Sequence, residues 1–191
     1  MKRIILLLSI ILIYSSSFLF ADVDYLTFGG TGGFSTVNNS ASFGFNLSYQ
    51  YMGRIGSKSY FGMNSHSDFN LQCVEGDEVS IATGVLVGPS FGYAFNPSNF
   101  LVFTIAPAVY VESGKKQYVG FGLGLDLNHT LYLGTYKNFG ITFGATSYLM
   151  FADMTGKGGK RDFVTDNLLY LGFTFRSGDY TGATETYYNI Y

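Results

Sequence analysis

The sequence is poor in charged residues, in cysteine and, after residue 21, in long apolar runs. Charged residues make up 13% of the chain, whereas a soluble surface usually carries roughly a quarter to a third of them. Cys73 is the only cysteine, so a disulfide framework is excluded. After residue 21, no segment reaches the roughly 18 consecutive apolar residues that a membrane helix needs. These absences argue against a disulfide-bonded domain and against a helical membrane protein.

Basic residues are also scarce and scattered. The formal net charge is −2, and no stripe of Lys or Arg runs along any segment. Proteins that bind nucleic acid usually carry such a stripe, so nucleic acid is not a predicted partner. The two histidines, His66 and His129, cannot make a convincing zinc site unless carboxylates complete it. We therefore predict neither a cofactor nor a metal.

The first 21 residues, MKRIILLLSIILIYSSSFLFA, have the layout of a secretory signal peptide. Lys2 and Arg3 form a short positive region, residues 4–14 are apolar, and the segment ends on small residues and Phe. We predict cleavage before Asp22, and an uncleaved membrane helix is the alternative. The remaining chain has the length of one domain.

Apolar residues then alternate strictly with small or polar ones. In ASFGFNLSYQYM, residues 41–52, every second side chain is Phe, Leu or Tyr, and Gly, Asn, Ser and Gln lie between them. A period of two predicts a strand with one apolar and one polar face. Five later segments repeat the pattern, and two weaker ones, residues 23–35 and 59–72, complete a prediction of eight strands without a helix.

Side-chain volume predicts which face points outward. The interior of an eight-stranded barrel is just wide enough to be filled by side chains. The many large apolar residues would not fit there, whereas Gly, Ser, Thr and Asn would. We therefore predict that the apolar face, including Phe43, Leu123 and Phe173, contacts lipid. Tyrosines near strand ends are expected to form interfacial girdles; they are Tyr49, Tyr51, Tyr93, Tyr132, Tyr136 and Tyr148.

The connections alternate in length as well. MGRIGSKS, NPSN and GTYKN are short turns, whereas STVNNSA, CVEGDE, ESGKKQ and ADMTGKGGKRDFVTD are mostly longer and more charged. This layout is typical of an up-and-down barrel in an outer membrane, with the short turns and both chain ends on the periplasmic side. Pro89 and Pro107 fall inside predicted strands, where we expect a bulge or a strand end at each.

At this point the chain resembles the small eight-stranded outer-membrane β-barrel proteins of diderm bacteria. Residues 22–176 would form the barrel. Four residues resemble the final-strand signal that the barrel-assembly machinery recognises; they are Leu169, Leu171, Phe173 and Phe175. In that family an aromatic residue usually ends the chain, but here residues 177–191 follow, as a tail or an extra strand. The resemblance implies a monomer in the cell outer membrane, in contact with lipid and lipopolysaccharide-type lipids.

Some barrels of this kind modify lipids, so catalytic groups need consideration. In His66-Ser67-Asp68, strand geometry puts His66 and Asp68 on one face and Ser67 on the other, which separates a nucleophile from its base. His129 has the parity of the lipid-facing leucines. The glycine runs lack the Lys-Ser or Lys-Thr of a phosphate loop. We predict no catalytic residue, and expect these polar residues in the lumen: His66, Asp68, Asp126, Asn128 and Arg176.

The sequence thus predicts a non-enzymatic outer-membrane barrel with a structural or surface-interaction role and at most a narrow lumen. Three alternatives remain open from the residues alone. The first is a small pore, or a binder or transporter of small apolar molecules. The second is a lipid-modifying enzyme that uses His66 or His129. The third is a soluble lipocalin-like barrel in the periplasm.

Overall fold

The computed structural model describes residues 23–36, 40–74, 78–113, 117–153 and 163–178. Eight strands form a closed barrel in which each strand pairs antiparallel with the next and β8 pairs with β1. Within those ranges, no helix is long and apolar enough to cross a membrane. The strands are β1 Val23–Ser35, β2 Ser40–Arg54, β3 Ser59–Val74, β4 Glu78–Asn96, β5 Asn99–Ser113, β6 Tyr118–Leu133, β7 Phe139–Asp153 and β8 Val164–Gly178.

The predicted all-β, eight-stranded, up-and-down architecture is confirmed. The signal peptide (residues 1–21) and most of the segment 177–191 lie outside the described residues, so both remain predictions. The last strand is longer than the sequence pattern indicated, because it begins at Val164 and ends at Gly178. Part of the predicted long connection, residues 164–166, therefore belongs to the wall of the barrel.

The outer face of the barrel is apolar, as predicted. Phe43 is 50% exposed and Phe173 is 53% exposed, and Leu123 is partly exposed on the same face. Exposed Leu, Ile, Val and Phe side chains recur on all eight strands. An apolar surface of this extent is unstable in water and marks a region that another apolar phase covers. The barrel exterior is therefore built to meet lipid.

Three of the predicted girdle tyrosines are buried. Tyr51 is 6% exposed although it has the outward parity of Tyr49, and the other two point into the lumen. Tyr132 is 2% exposed and Tyr148 is fully buried, because even-numbered residues of β6 and the central part of β7 face the lumen. For these two, the prediction of an interfacial position was wrong. It relied on nearness to a strand end and ignored parity, which decides the face of a strand residue.

The prediction of a bulge or strand end at each proline was also wrong. β4 and β5 pair as far as Leu86 with Ala108 and resume at Ser90 with Thr104 in the same register. Both prolines lie in the short unpaired stretch between, and each still pairs on its other side, Pro89 with Met63 and Pro107 with Leu123. Because both prolines lie where β4 meets β5, their missing N–H groups interrupt only the β4–β5 ladder of hydrogen bonds.

The short turns connect the strands at one end of the barrel. In the turn from β4 to β5, the side chain of Asn96 accepts hydrogen bonds from Ser98 N and Asn99 Nδ2, both at 2.9 Å. In the turn from β6 to β7, Gly134 has a φ of 68°, a left-handed conformation that glycine adopts without strain. The polar loops predicted at the opposite end fall largely outside the described ranges.

A charge in the middle of the apolar face should oppose membrane insertion. Leu171 lies midway along β8 and points outward, so Leu171→Arg is expected to cost about 2–4 kcal/mol of folding free energy in lipid. The control, Ser177→Arg, lies at the strand end and should cost only about 0–1 kcal/mol. Denaturant titration of folding into phospholipid vesicles measures both values. Equal costs at the two positions would contradict a lipid-spanning β8.

Candidate functional site

The centre of the lumen is a polar cluster around Asp126 on β6. Its Oδ1 accepts hydrogen bonds from the Tyr170 hydroxyl at 2.9 Å and from Thr146 Oγ1 at 3.1 Å. Its Oδ2 accepts from Asn128 Nδ2 at 2.8 Å and from Asn64 Nδ2 at 3.3 Å. A buried carboxylate is tolerated only when donors satisfy it. Strands β3, β6, β7 and β8 thus converge on one side chain.

His66 and Asp68 form the other half of this central polar cluster. His66 Nε2 lies 3.1 Å from Asp68 Oδ2, and His66 Nδ1 lies 3.8 Å from Asp126 Oδ1. The Tyr148 hydroxyl donates to Asp68 Oδ2 at 2.6 Å. The imidazole therefore lies between two carboxylates, and both side chains on β3 are fully buried. This arrangement ties β3 across the lumen to β6 and β7.

Glycines in the barrel wall make room for the two tyrosines of the cluster. A Cβ added to Gly84 would lie 2.4 Å from Tyr148 Cζ, and one added to Gly144 would lie 2.4 Å from Tyr170 Cζ. Any larger residue at these positions would displace a ring. The alternation of glycine with large outward residues is therefore a packing feature of the lumen, since each ring fills the space that a missing side chain leaves.

Toward the long-loop end, the lumen is closed by polar and aromatic side chains. With its amide nitrogen toward Glu112, Gln72 donates to Oε1 at 3.0 Å and Oε2 at 3.1 Å, while its oxygen accepts from the Tyr110 hydroxyl at 2.5 Å. Ser80 Oγ also donates to Glu112 at 3.0 Å. Asp166 is buried nearby, directly across the β1–β8 ladder from Ser35. This layer connects five strands above the central cluster.

Toward the short-turn end, an aromatic layer closes the lumen. The Tyr25 and Phe100 rings stack with centroids 5.1 Å apart, and Tyr60 meets Phe100 edge-on at 5.3 Å. The guanidinium of Arg176 lies 4.2 Å from the centre of the Tyr132 ring, in the geometry of a cation–π contact. A run of hydroxyl hydrogen bonds crosses the same level; it joins Thr27, Thr174, Thr142 and Thr130.

All five polar residues predicted for the lumen are buried inside it. His66, Asp68, Asp126 and Asn128 belong to the central cluster, whereas Arg176 lies apart in the aromatic layer. Ser67 is partly exposed on the outer face, so the three consecutive residues on β3 do not assemble as a triad. In the ranges described above, no three His, Cys, Asp or Glu side chains converge in a way that could hold a metal.

The remaining candidates lie on the outer face. His129 is wedged between aromatic rings, with its centroid 5.1 Å from Phe143 and 6.3 Å from Phe95, both edge-on. Both of these contacts are with apolar rings. The four residues of the predicted assembly signal point outward along β8 as one continuous apolar row; they are Leu169, Leu171, Phe173 and Phe175.

Sequence reasoning missed several residues that complete the lumen. Glu112 and Asp166 fall in segments predicted as loops, although both lie inside strands. Tyr110, Tyr148 and Tyr170 were missed because a lumen of small residues was expected. The signal that could have found them was available, since each shares the parity of the inward glycines and threonines on its own strand.

Comparison with solved structures identifies known barrels with a similar fold. Ail, the attachment invasion locus protein of Yersinia pestis, superposes with a TM-score of 0.55 in its complex with the heparin analogue sucrose octasulfate. The identity is 12%, over 81% of this chain and 98% of Ail. The fold is similar to that of Ail. A second Ail structure gives a TM-score of 0.53 and 15% identity, over 82% of this chain and 99% of Ail.

Neisserial surface protein A also matches, with a TM-score of 0.48 and 14% identity, over 80% of this chain and 96% of that one. No family model matches the sequence, and no curated protein matches it. The similarity to Ail confirms the predicted resemblance to small outer-membrane barrels for the fold, and at these identities it extends no further.

A methyl group at Gly84 should disturb the lumen more than one on the outside. Gly84→Ala brings a Cβ against the Tyr148 ring, and we expect it to lower the free energy of unfolding by about 1–3 kcal/mol. Gly30→Ala is the control, because its Cβ would face outward with the nearest atom 3.9 Å away. Urea unfolding in detergent micelles measures both. In a Tyr148→Ala background, Gly84→Ala should cost much less; an unchanged cost would contradict the steric explanation.

Removal of the Asp126 carboxylate should destabilise the barrel more than truncation of a side chain on the outer face. Asp126→Ala removes the acceptor of four buried hydrogen bonds, for an expected loss of about 3–5 kcal/mol. His129→Ala is the control, because His129 lies three residues further along β6 on the outer face, and it should cost much less. The same urea titrations give both values. Similar losses for the two variants would show that the cluster contributes little to stability.

Proposed function

We propose that this chain is a non-enzymatic outer-membrane barrel, exported by residues 1–21, whose long loops contact polyanionic molecules at the cell surface. The filled lumen is the observation that carries this proposal. A polar cluster occupies its centre, and packed layers close it on both sides. The interior therefore supports the wall, and the parts of the chain left for recognition are those outside the barrel.

The same packing disfavours the pore and the apolar-binder alternatives. A pore needs a continuous water-filled path, whereas Tyr25, Phe100 and Tyr132 fill the lumen near the short turns. An apolar ligand needs an apolar cavity. The middle of this lumen instead holds Asp68, Asp126 and their hydrogen-bond donors.

The lipid-modifying enzyme and the soluble barrel are disfavoured for different reasons. A lipid substrate cannot reach His66, which is fully buried. His129 can meet lipid, but its contacts are with Phe95 and Phe143, and neither ring supplies a nucleophile or an acid. A soluble barrel would expose the apolar outer face to water, at a cost of roughly 25 cal/mol for each Å².

The proposed ligand class follows from the loop charges. In the sequence, two connections at the long-loop end, residues 114–116 and 154–162, carry five basic residues and one acidic residue, Asp162, whereas the connection at residues 75–77 carries Glu75 and Asp77. The basic residues are Lys115, Lys116, Lys157, Lys160 and Arg161. Basic side chains attract sulfate and phosphate groups by charge and by hydrogen bonds. The structural neighbour Ail has been crystallised with a heparin analogue, sucrose octasulfate, which supports a polyanion as the first ligand to test.

The remaining partners follow from the proposed location. The outer face would contact membrane lipid and, in the outer leaflet, lipopolysaccharide-type lipids. The outward row of apolar residues on β8 suits recognition by the barrel-assembly machinery during insertion. We propose a monomer, because closure of the barrel leaves no strand edge for pairing with a second chain.

Charge reversal on one loop should separate surface binding from the fold. Lys157→Glu, Lys160→Glu and Arg161→Glu together are expected to weaken binding of the micelle-embedded protein to immobilised heparin by at least about tenfold. The control carries Lys58→Glu and Lys137→Glu on the short turns, and it should bind like the natural protein. Surface plasmon resonance at two salt concentrations measures the difference. Absence of binding by the natural protein, or equal loss in both variants, would overturn the proposal.

A further inference from the structure

An acidic side chain interrupts the apolar outer face near the short-turn end. Asp24 is the second residue of β1 and has the outward parity of Leu26 and Phe28. Across the two ladders its neighbours are Tyr51 on β2 and Ser177 on β8. A carboxylate on a face that meets lipid is costly unless a polar or charged partner reaches it.

The chain itself supplies one such partner. The Tyr49 hydroxyl donates to Asp24 Oδ1 at 2.9 Å. An ionised carboxylate has about four lone-pair positions, so a single hydrogen bond leaves most of its accepting capacity. Tyr49 therefore orients the carboxylate without saturating it.

A groove opens beside this carboxylate on the outside of the barrel. Its volume is about 340 Å³, and its lining residues are Asp24, Leu26, Tyr49, Phe175, Arg176 and Ser177. In the next row of the sheet, Leu26 lies between Tyr49 and Phe175. The groove thus has a polar end at Asp24 and Ser177 and an apolar end at Leu26 and Phe175, in the order of a lipid headgroup followed by its chains.

The charge of the groove selects the kind of headgroup. Arg176 lines the groove, but its guanidinium lies over the ring of Tyr132, which is buried in the lumen. Asp24 is therefore the charge that the groove presents. A carboxylate repels an anionic headgroup and attracts an ammonium, which binds most strongly when its N–H groups also donate hydrogen bonds. A primary ammonium satisfies both conditions.

We propose that this groove binds the headgroup of an aminophospholipid of the phosphatidylethanolamine type, with the ammonium on Asp24 and the acyl chains along Leu26 and Phe175. The inference rests on the proposed membrane location, because only a barrel inserted in a bilayer brings headgroups to the level of Asp24. A volume of about 340 Å³ suits a headgroup and the first carbons of its chains, at the lower end of ligand sites.

Competition between two lipids tests the proposal directly. The full-length mature protein in mild detergent is mixed with equal amounts of phosphatidylethanolamine and phosphatidylcholine that carry identical chains, and native mass spectrometry counts the bound lipids. Phosphatidylcholine keeps the positive charge but has no N–H donor. We expect a preference of about tenfold for phosphatidylethanolamine, falling to near unity in Asp24→Asn and retained in Asp24→Glu.

Two further variants sharpen the interpretation. Tyr49→Phe keeps the carboxylate but removes its orienting hydrogen bond, so an intermediate preference is expected. A variant that ends at Gly178 tests the chain's own C-terminal segment as the occupant. A lipid preference seen only after that truncation would overturn the proposal in favour of the segment.

The outcomes separate this inference from the proposed function. Heat-modifiable gel migration and flotation with phospholipid vesicles report insertion independently of lipid choice. A protein that fails to insert would overturn both proposals. A protein that inserts but shows no preference for phosphatidylethanolamine, or that keeps the preference in Asp24→Asn, would overturn only the lipid site.

Discussion

The width of an eight-stranded lumen constrains every other feature of this protein. Closure of the sheet pairs β1 with β8 and leaves an interior that side chains can just fill. Some of the large residues inside it lie opposite glycine, as Tyr148 does at Gly84 and Tyr170 does at Gly144. Most of the other bulky side chains point outward, and the apolar belt that they form suits a lipid surrounding. The packing of the lumen and the apolar character of the outer face thus both follow from the width of the barrel.

The same narrow space explains why three of the four buried carboxylates, Asp68, Glu112 and Asp126, lie in hydrogen-bonded networks. In the described part of the chain, the buried carboxylates are Asp68, Glu112, Asp126 and Asp166, and the buried basic side chains are His66 and Arg176. In a region of low dielectric, each charge needs donors or a counter-charge within contact distance. Asp126 obtains them from four strands, so its hydrogen bonds also hold those strands in register. The polar centre therefore acts as a structural support, which agrees with the surface role that we propose.

Sequence patterns predicted the wall of the barrel better than its contents. The alternation around Phe43, Leu123 and Phe173 predicted the strands and the outward face, because a strand has only two faces and the lumen can take only small residues on average. The prediction failed for Tyr132 and Tyr148, which are large side chains that nevertheless point into the lumen. It also failed at Pro89 and Pro107, because their positions on one shared seam depend on how β4 and β5 pair. A single strand contains no information about its neighbour's register.

The sequence by itself determined the number of strands, their order and the face that most of the apolar side chains occupy, since these follow from local periodicity and the sites of the turns. Only the tertiary structure decided which inward residues meet. His66 and Asp126 are 60 positions apart in sequence and come within 3.8 Å through ring closure and strand stagger. The groove at Asp24 likewise needs β2 and β8 on either side of β1. Contacts across a closed sheet depend on the pairing of all eight strands, which no individual segment specifies.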